Sequence, residues 1–426
     1  MRERRRLTVQ DLRRDNRSVL LSSLFFDQPR TRQELSAATG LSSASVSNVV
    51  RDLIDDGIVV EAGSVDSDGG RPRMLLQINP DHGYIIGVDV GETRVRVELF
   101  DLTLTERAKT DYPLDPRRHE VGLIVEAILA GLEVVLASST VSPAAVLGIG
   151  VGVPGIVEDG PDGLVHGQTY GWESVPLGRL LRAGTSLPLH IDNDARTMGQ
   201  AELWFGAGRG ARSAVVCLVG SGVGACISTN GAALRGPSSS ASEWGHTTVM
   251  VGGRPCRCGS RGCLEAYVGA EAILDQYGGP LPGGQETALA AMIDLAATSG
   301  PAVAERAAAA EQAVAWGQAA ASEEAAEVLQ RTALYLGDGI ANLINLFNPE
   351  RIILGGWAGL LLGEHMLPAI RAAARDRSLR HLFAGTSIEL GRLGPDAVAL
   401  GAATLPIGAF LGGSVFTGRE SGGPVG

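Results

Sequence analysis

Between Glu243 and Glu265 the chain reads EWGHTTVMVGGRPCRCGSRGCLE. His246, Cys256, Cys258 and Cys263 fall within eighteen residues, flanked by the carboxylates of Glu243 and Glu265. Three thiolates and one imidazole are a complete tetrahedral set for zinc, and the glycines between them allow the tight turns of a metal knuckle. The competing reading is three redox-active or incidental thiols. A Cys3His site leaves no coordination position for water, so a zinc hydrolase is excluded. The task left to the metal is to hold Glu243, the far side of His246 and Glu265 around one point.

Upstream, Leu189-His190-Ile191-Asp192-Asn193-Asp194-Ala195 runs a strand into two neighbouring acids. Asp192 and Asp194 are either reactive carboxylates or caps of the helix that follows, RTMGQAELWF. Two strand–glycine turn–strand units, Tyr84 to Leu99 and Ala214 to Ile227, lie about 130 residues apart. They read as an internal duplication whose turns could offer backbone N–H groups to phosphates. Leu147 to Gly155 reads as a buried strand ending in a tight turn. Trp172 is suited equally to stacking on a sugar face and to the core.

These groups need elements to carry them. From Asp15 to Phe26 the apolar spacing predicts a helix, after an Arg-rich stretch, residues 1–17, expected to fray. Thr31-Arg32-Gln33-Glu34 is a capping box opening a second short helix, closed by Gly40, and Ser43 to Asp56 forms a third. Gly57-Ile58-Val59-Val60 and Met74 to Ile78 read as paired strands around Gly69-Gly70-Arg71-Pro72-Arg73, so the front of the chain is a helix-turn-helix with a wing. On the third helix Val46, Val49, Val50, Leu53 and Ile54 face the core. That leaves Ser43, Ser45, Ser47, Asn48 and Arg51 for a major groove, with Arg71 and Arg73 on the wing for a narrow minor groove. A merely solvated helix face is the alternative. Asn79-Pro80-Asp81 reads as a linker. Ala270 to Ala326 reads as helices joined by loops, Glu327 to Phe347 as a long helix, Asp396 to Phe410 as the last helix, and the Gly-rich tail from Gly412 as disordered.

The 426 residues exceed a single core, so two or three domains are expected. The net charge is −11, yet residues 1–77 carry twelve Arg and eleven Asp or Glu, about +1, leaving about −12 for the body. Only the front end is suited to nucleic acid. Apolar stretches read as short, so no membrane span is expected. MRERRR followed by VLLSSLFF imitates a secretory signal but is broken by Ser22 and Ser23 and lacks a cleavage site, so the cytoplasm is the expected compartment. Cys217 and Cys226 sit in apolar runs and should simply pack.

Glu-x-Gly-His followed by Cys-x-Cys-Gly-x-x-Gly-Cys-Leu-Glu resembles the signature of the ROK family, bacterial sugar kinases and repressors built on one sugar-binding fold. The winged front end with its GGRPR tip resembles the N-terminal domain of the repressors, and the likeness runs from about Asp15 to Leu411. It implies an N-terminal α+β winged helix-turn-helix (15–78, after a basic 1–14) and a C-terminal α/β actin-like, ribonuclease H-like two-lobed sugar kinase fold. The implied first lobe is 79–190 with the returning helix 396–411, and the second is 191–395 with the zinc knuckle, before the tail 412–426. It implies Gly155, Asn193, Asp194, Glu243, His246 and Glu265 for sugar, and His246, Cys256, Cys258 and Cys263 for structural zinc. Asp194 would be the general base of a kinase, and Gly91, Thr93, Gly220, Ser221 and Gly222 would hold nucleotide phosphates, with Gly355-Gly356 at adenosine. The phosphate loops depart from the kinase pattern: Glu92 stands for Gly, Ser221 for Thr, Ala225 for Gly and Trp357 for a small residue. Each departure except the mild Ser221 adds bulk or negative charge, which argues against ATP as a cofactor. The expected function is a sugar-responsive transcriptional regulator acting as a homodimer or dimer of dimers on an inverted-repeat operator. The alternative is an ATP-dependent sugar kinase with an accessory DNA-binding domain.

Overall fold

The first helix reaches further back than its apolar spacing indicates. In the computed structural model, which describes residues 9–66, 72–115, 118–298 and 313–412, α1 spans Val9–Asp27. Its first turns contain good helix formers and no breaker, and Asp11 sits favourably in the first turn. After β1 (Arg30–Thr31), α2 (Arg32–Thr39) opens on the expected capping box. Glu34 N donates to Thr31 Oγ1 at 3.3 Å and Thr31 N donates to Glu34 Oε2 at 2.7 Å, and Gly40 in the left-handed region closes the helix. Ser42 caps α3 (Ser43–Asp55), which buries Val46, Val50 and Leu53. β2 (Val59–Val65) and β3 (Arg73–Ile78) pair antiparallel, and β1 adds to the far edge of β3. The tip between the two long strands, with Arg71, falls outside the described residues.

The segment expected as a linker is instead fastened. Pro80–His82 is a single 3-10 turn, and Asn79 donates from its side chain to Gly57 O at 2.9 Å and from its backbone to Ile58 O at 2.8 Å.

The body contains two five-stranded sheets. The first is built from β4 (Tyr84–Val90), β5 (Arg94–Asp101), β6 (Glu106–Pro113), β7 (Val146–Val153) and β11 (Leu189–Asn193), in the order β11-β7-β4-β5-β6. It is covered by α4 (Val121–Ser139) and α5 (Leu177–Arg182), with a small sheet of β8 (Ile156–Val157), β9 (Leu164–Gly167) and β10 (Trp172–Pro176) beside it. The second comprises β12 (Ser213–Val219), β13 (Val223–Thr229), β14 (Ala232–Ala233), β15 (Arg351–Gly355) and β16 (Ser387–Leu390), in the order β14-β13-β12-β15-β16. In both sheets a hairpin's first strand also pairs in parallel with a later strand, β4 with β7 and β12 with β15. The duplication read from the two glycine turns is therefore structural. β11, residues 189–193, lies wholly in the first sheet, in register with β7.

Helix α6 (Asp194–Phe205) bridges the sheets. The second sheet carries α7 (Glu265–Val268), α8 (Ala270–Tyr277), α9 (Gln285–Ala297), α10 (Ala313–Phe347), α11 (Trp357–Arg377) and α12 (Arg380–Ala384), and α13 (Ala397–Phe410) returns to the first lobe. The long helix thus starts at Ala313, not Glu327. Helix α4 corrects another expectation: it is long and apolar enough to cross a membrane by length and composition. Here it lays Ile124, Ile128, Leu132 and Val135 on the first sheet.

Two close approaches set the architecture. A side chain at Gly150 of β7 would place its Cβ 1.8 Å from Ala402 O, so the strand admits α13 only because that residue is glycine. The far end of α13 then enters the winged helix. Leu20, Leu24, Leu35, Val46, Val50 and Leu53 share one core with Ile85, Phe100 and Leu102, with Trp204 of α6, and with Ile407 of α13 and Leu411 just after it. Phe25 and Phe26 pack edge-on against Trp204, with ring centroids 6.2 and 4.9 Å away, and Arg209 pairs with Asp27 at 2.9 Å. Residues 78 and 79 therefore do not mark a break in packing. Ile407→Ala, in the body but fully buried against the winged helix, should cost about 2–5 kcal/mol. Denaturation followed by fluorescence and by circular dichroism should remain one coincident transition.

Candidate functional site

The first and second sheets face one another across a cleft lined from both sides, by Asp89, Glu92 and Gly155 of the first lobe and Ser221, Glu243, His246 and Glu265 of the second, with Asn193 and Asp194 at the base. Its position follows from the strand ends. β4, β7 and β11 all point their C-terminal ends at it, and so does β12.

Asn193 is the N-cap of α6. Its Oδ1 accepts from Arg196 N at 3.0 Å, while Nδ2 donates to Gly155 O at 2.9 Å and Asp194 Oδ1 at 3.0 Å. Both amide hydrogens are committed, so its side chain fixes the Gly155 turn and Asp194 and does not offer a free donor to a ligand. Asp194 Oδ1 also accepts from Ala195 N at 2.7 Å. Its Oδ2 has no partner among the described residues and is the group that can take a ligand hydroxyl. Gly155 has φ +96°, and a Cβ there would sit 2.3 Å from His166 O, so the turn requires glycine.

Asp192 is neither a cap nor a cleft carboxylate. It is buried in ion pairs with Arg196 and with Arg235, the latter at 2.7 Å. Trp172 settles as a core residue: it is buried and donates from Nε1 to His119 O at 2.9 Å.

The knuckle gathers its four groups. Cys256 Sγ lies 3.6 Å from His246 Nδ1 and Cys258 Sγ 3.7 Å from Cys263 Sγ, and all four ligand atoms fall within 4.8 Å of one another. A tetrahedron with metal–sulfur bonds of about 2.3 Å has edges of roughly 3.7 Å, so the cluster has the dimensions of such a site. With Nδ1 turned to the thiols, His246 keeps Nε2 for the cleft. Cys217 and Cys226 are buried in β12 and β13, as expected.

Glu243 stands exposed in the cleft. Glu265 does not: buried at the start of α7, it accepts from Val223 N at 3.0 Å and pairs with Arg257 Nε at 3.2 Å.

In the two expected phosphate loops, two backbone amides are engaged within their own turns. Gly91 N donates to Arg94 O and Gly220 N to Gly222 O, both at 2.9 Å, so these amides close their own turns. Thr93 spends its carbonyl on Leu114 N, and Ser221 Oγ donates to Gln285 Oε1 at 2.5 Å. Trp357 covers the second turn, since a Cβ at Gly220 would lie 3.2 Å from its indole nitrogen.

Three residues were not singled out from the sequence. Asp89 is a carboxylate at the base of the cleft within an apolar strand, YIIGVDV. That interruption was a visible signal. Ser242 lines the cleft with φ +78°, and its hydroxyl is buried without a hydrogen-bond partner among the described residues. Arg257, between two of the thiols, contacts Glu92 as well as Glu265. No spacing rule identifies these last two.

On the winged helix, Ser43, Ser47, Asn48 and Arg51 are exposed on one side of α3, and Arg51 donates to Asn48 Oδ1 at 3.3 Å. Ser45 departs from that set: half-buried, it shares a 2.9 Å hydrogen bond with the capping Ser42. Arg73 is exposed at the start of β3.

A family model described as the ROK family matches residues 85–408. The chain belongs to the ROK family. Among its ROK relatives, the xylose repressor of Caldicellulosiruptor bescii is 30% identical over 400 residues, 94% of this chain and 97% of the relative. The glucokinase of Halalkalibacterium halodurans is 32% identical over 320 residues, 75% of this chain and 93% of that enzyme. A solved ROK family transcriptional regulator, a homolog of the E. coli MLC protein, shares the fold with a TM-score of 0.74 at 24% identity, over 94% of this chain and 97% of its own. The winged helix and the two-lobed actin-like body of this ROK protein are thus one arrangement shared with regulators.

Burial raises the Asp194 carboxyl to about 7, helped by the charges of Asp89, Glu243 and Glu92, and raises Asp89 to about 6. A raised folded-state value means the folded protein binds more protons than the unfolded chain. The associated stability is complete below about pH 3.8 and is lost as the pH rises through 7. Asp194→Asn should therefore melt above wild type at pH 8, with the gap closing toward pH 5, in a thermal-shift series across pH.

Proposed function

We propose that this chain is a sugar-responsive, DNA-binding transcriptional repressor of carbohydrate uptake or catabolism genes. The observation that carries this reading is the single core joining the winged helix to α6 and α13. Helix α6 begins at Asn193 and Asp194 in the cleft and ends at Trp204 and Phe205 against α1, a rod of about 18 Å for its 12 residues. A ligand that shifts the base of the cleft therefore moves an element packed directly on the DNA-binding helices. Linkage bounds the response by the ligand's difference in affinity for the DNA-competent and DNA-incompetent arrangements.

In this reading Asp194 Oδ2, Glu243 and His246 Nε2 receive sugar hydroxyls, and the Ser242 hydroxyl gains a partner. The Cys3His cluster would hold structural zinc through His246, Cys256, Cys258 and Cys263. Bound there, the metal fixes the loop between Glu243 and Glu265 and supplies no reaction step. Ser43, Ser47, Asn48 and Arg51 enter the major groove, with Arg71 and Arg73 on the wing. A homodimer would place two winged helices on an inverted repeat.

The second reading, an ATP-dependent sugar kinase, is favoured by Asp194, whose free oxygen and raised proton affinity suit a general base. Against it stand the self-closed glycine turns, Glu92 and Trp357. Turnover of ATP with xylose or glucose at an ordinary enzyme rate, on the order of 1–1000 per second, would establish that reading instead.

The decisive experiment is a salt-titrated binding assay on operator fragments with and without xylose, glucose and N-acetylglucosamine. One of these sugars should lower operator affinity. Arg73→Ala should weaken specific and non-specific binding alike and reduce the salt slope by about one. Asn48→Ala should relax preference at one position in each half-site by about 1–3 kcal/mol with little change in slope. If both variants bind like wild type with or without sugar, the repressor reading fails.

Metal analysis of the purified protein should find one zinc per chain. Cys258→Ser should release it and abolish the sugar response while leaving the winged helix folded, as read by circular dichroism and calorimetry.

A further inference from the structure

Arg257 occupies a position that neither the metal cluster nor the cleft explains by itself. It lies between Cys256 and Cys258, so its backbone is held on both sides by thiols of the knuckle. Its side chain leaves that loop and crosses the cleft mouth. Nε lies 3.2 Å from Glu265 Oε1, NH1 lies 3.0 Å from both carboxylate oxygens of Glu92, and NH2 donates to Ser221 O at 3.1 Å. Glu271 stands 3.6 Å away. The guanidinium is thus shared among three acids and a carbonyl, with the Glu92 side chain only 9% exposed and that of Glu265 only 7%.

Glu92 belongs to the first lobe, in the turn between β4 and β5, and Arg257, Ser221 and Glu265 to the second. The contact spans the space between the two duplicated glycine turns, where backbone turns of this kind otherwise present themselves to an anion. A second pair beside it, Arg94 with Glu286 of α9 at 3.6 Å, joins the same two lobes. Of these acids only Glu92 and Glu265 are nearly buried, so their pairs with Arg257 are screened less than surface pairs, and removing Arg257 leaves two largely buried carboxylates unpaired.

We infer that Arg257 is a positioning residue: it holds the buried Glu265 carboxylate in the second-lobe wall of the cleft and ties that wall to Glu92 of the opposite lobe, so that the chain's own carboxylate fills the anion place between the glycine turns. Cleft closure then needs no nucleotide, and occupancy of that wall and closure of the lobes become one event. This inference rests on the reading of the cleft as a sugar site.

The test uses the full chain and three variants, Glu92→Gln, Arg257→Ala and Arg257→Lys. Each is titrated calorimetrically with xylose, glucose and N-acetylglucosamine, analysed for zinc, and followed by hydrogen exchange at residues 90–94 and 220–223. Arg257→Ala should keep its zinc, lose at least tenfold in affinity for whichever sugar wild type binds, and exchange faster at both turns. Arg257→Lys should recover part of the affinity, because it restores the charge but not the three-way fork. Glu92→Gln lies outside the knuckle and tests the tie even if Arg257→Ala loses metal. It should speed exchange at both turns, and the double variant Glu92→Gln/Arg257→Ala should be no worse than Arg257→Ala alone. Unchanged exchange at both turns in Glu92→Gln and Arg257→Ala overturns the inference, as does full affinity in Arg257→Ala. If wild type binds none of the three sugars while exchange still quickens in both variants, the tie stands and the reading of the cleft fails.

Discussion

The contact on which the rest of this molecule depends is the packing of α13 and α6 against each other and across the first sheet. Gly150 lets the backbone of α13 lie directly on β7, and the two helices then extend past the sheet to meet α1. Without that approach the winged helix would have its own small core of about sixty residues and a flexible tether. With it, Leu20 and Leu24 are buried by the same residues that bury Ile85 and Phe100. A small domain gains most from such sharing, because its surface-to-volume ratio limits what it can bury alone.

The cleft shows the complementary constraint, an excess of negative charge in a place water reaches poorly. Asp89, Glu92, Asp194, Glu243 and Glu265 line it together. The raised proton affinities of Asp89, Glu92 and Asp194 are the cost of that arrangement. Carboxylates are strong acceptors for the hydroxyls of a neutral polyol, and the same concentration repels a triphosphate. Arg257 relieves the excess at the mouth of the cleft and leaves Asp194 free at its base. On the reading proposed above, the site favours a neutral, hydroxyl-rich ligand over a nucleotide.

Much of this was legible in the residues alone. The knuckle was, because metal ligation demands particular side chains within a short loop, and His246, Cys256, Cys258 and Cys263 satisfy that locally. The capping box at Thr31 and Glu34, the left-handed Gly40, and the α3 stripe of Val46, Val50 and Leu53 are equally local. The duplicated hairpins were legible because strand–glycine–strand patterns repeat in sequence as they do in space. Where local reasoning stopped, an element's neighbours were set from outside it: Ser45 hydrogen-bonds the cap of its own helix, and β11 joins the first sheet because β7 offers it an edge.

What the sequence by itself determined, then, is the set of chemical groups and the elements that carry them, since propensity, capping and ligand spacing act over a few residues. Tertiary structure alone decided which groups meet. Asn193 spends both amide hydrogens on Gly155 and Asp194, thirty-eight residues away and one residue away. Glu92 finds Arg257 across 165 residues of chain, and Trp204 finds Phe26 across the supposed domain boundary. No periodicity in the chain encodes such partnerships, because they depend on how two sheets and two helices close on one another, and that closure is fixed by the summed burial of surfaces far apart in sequence.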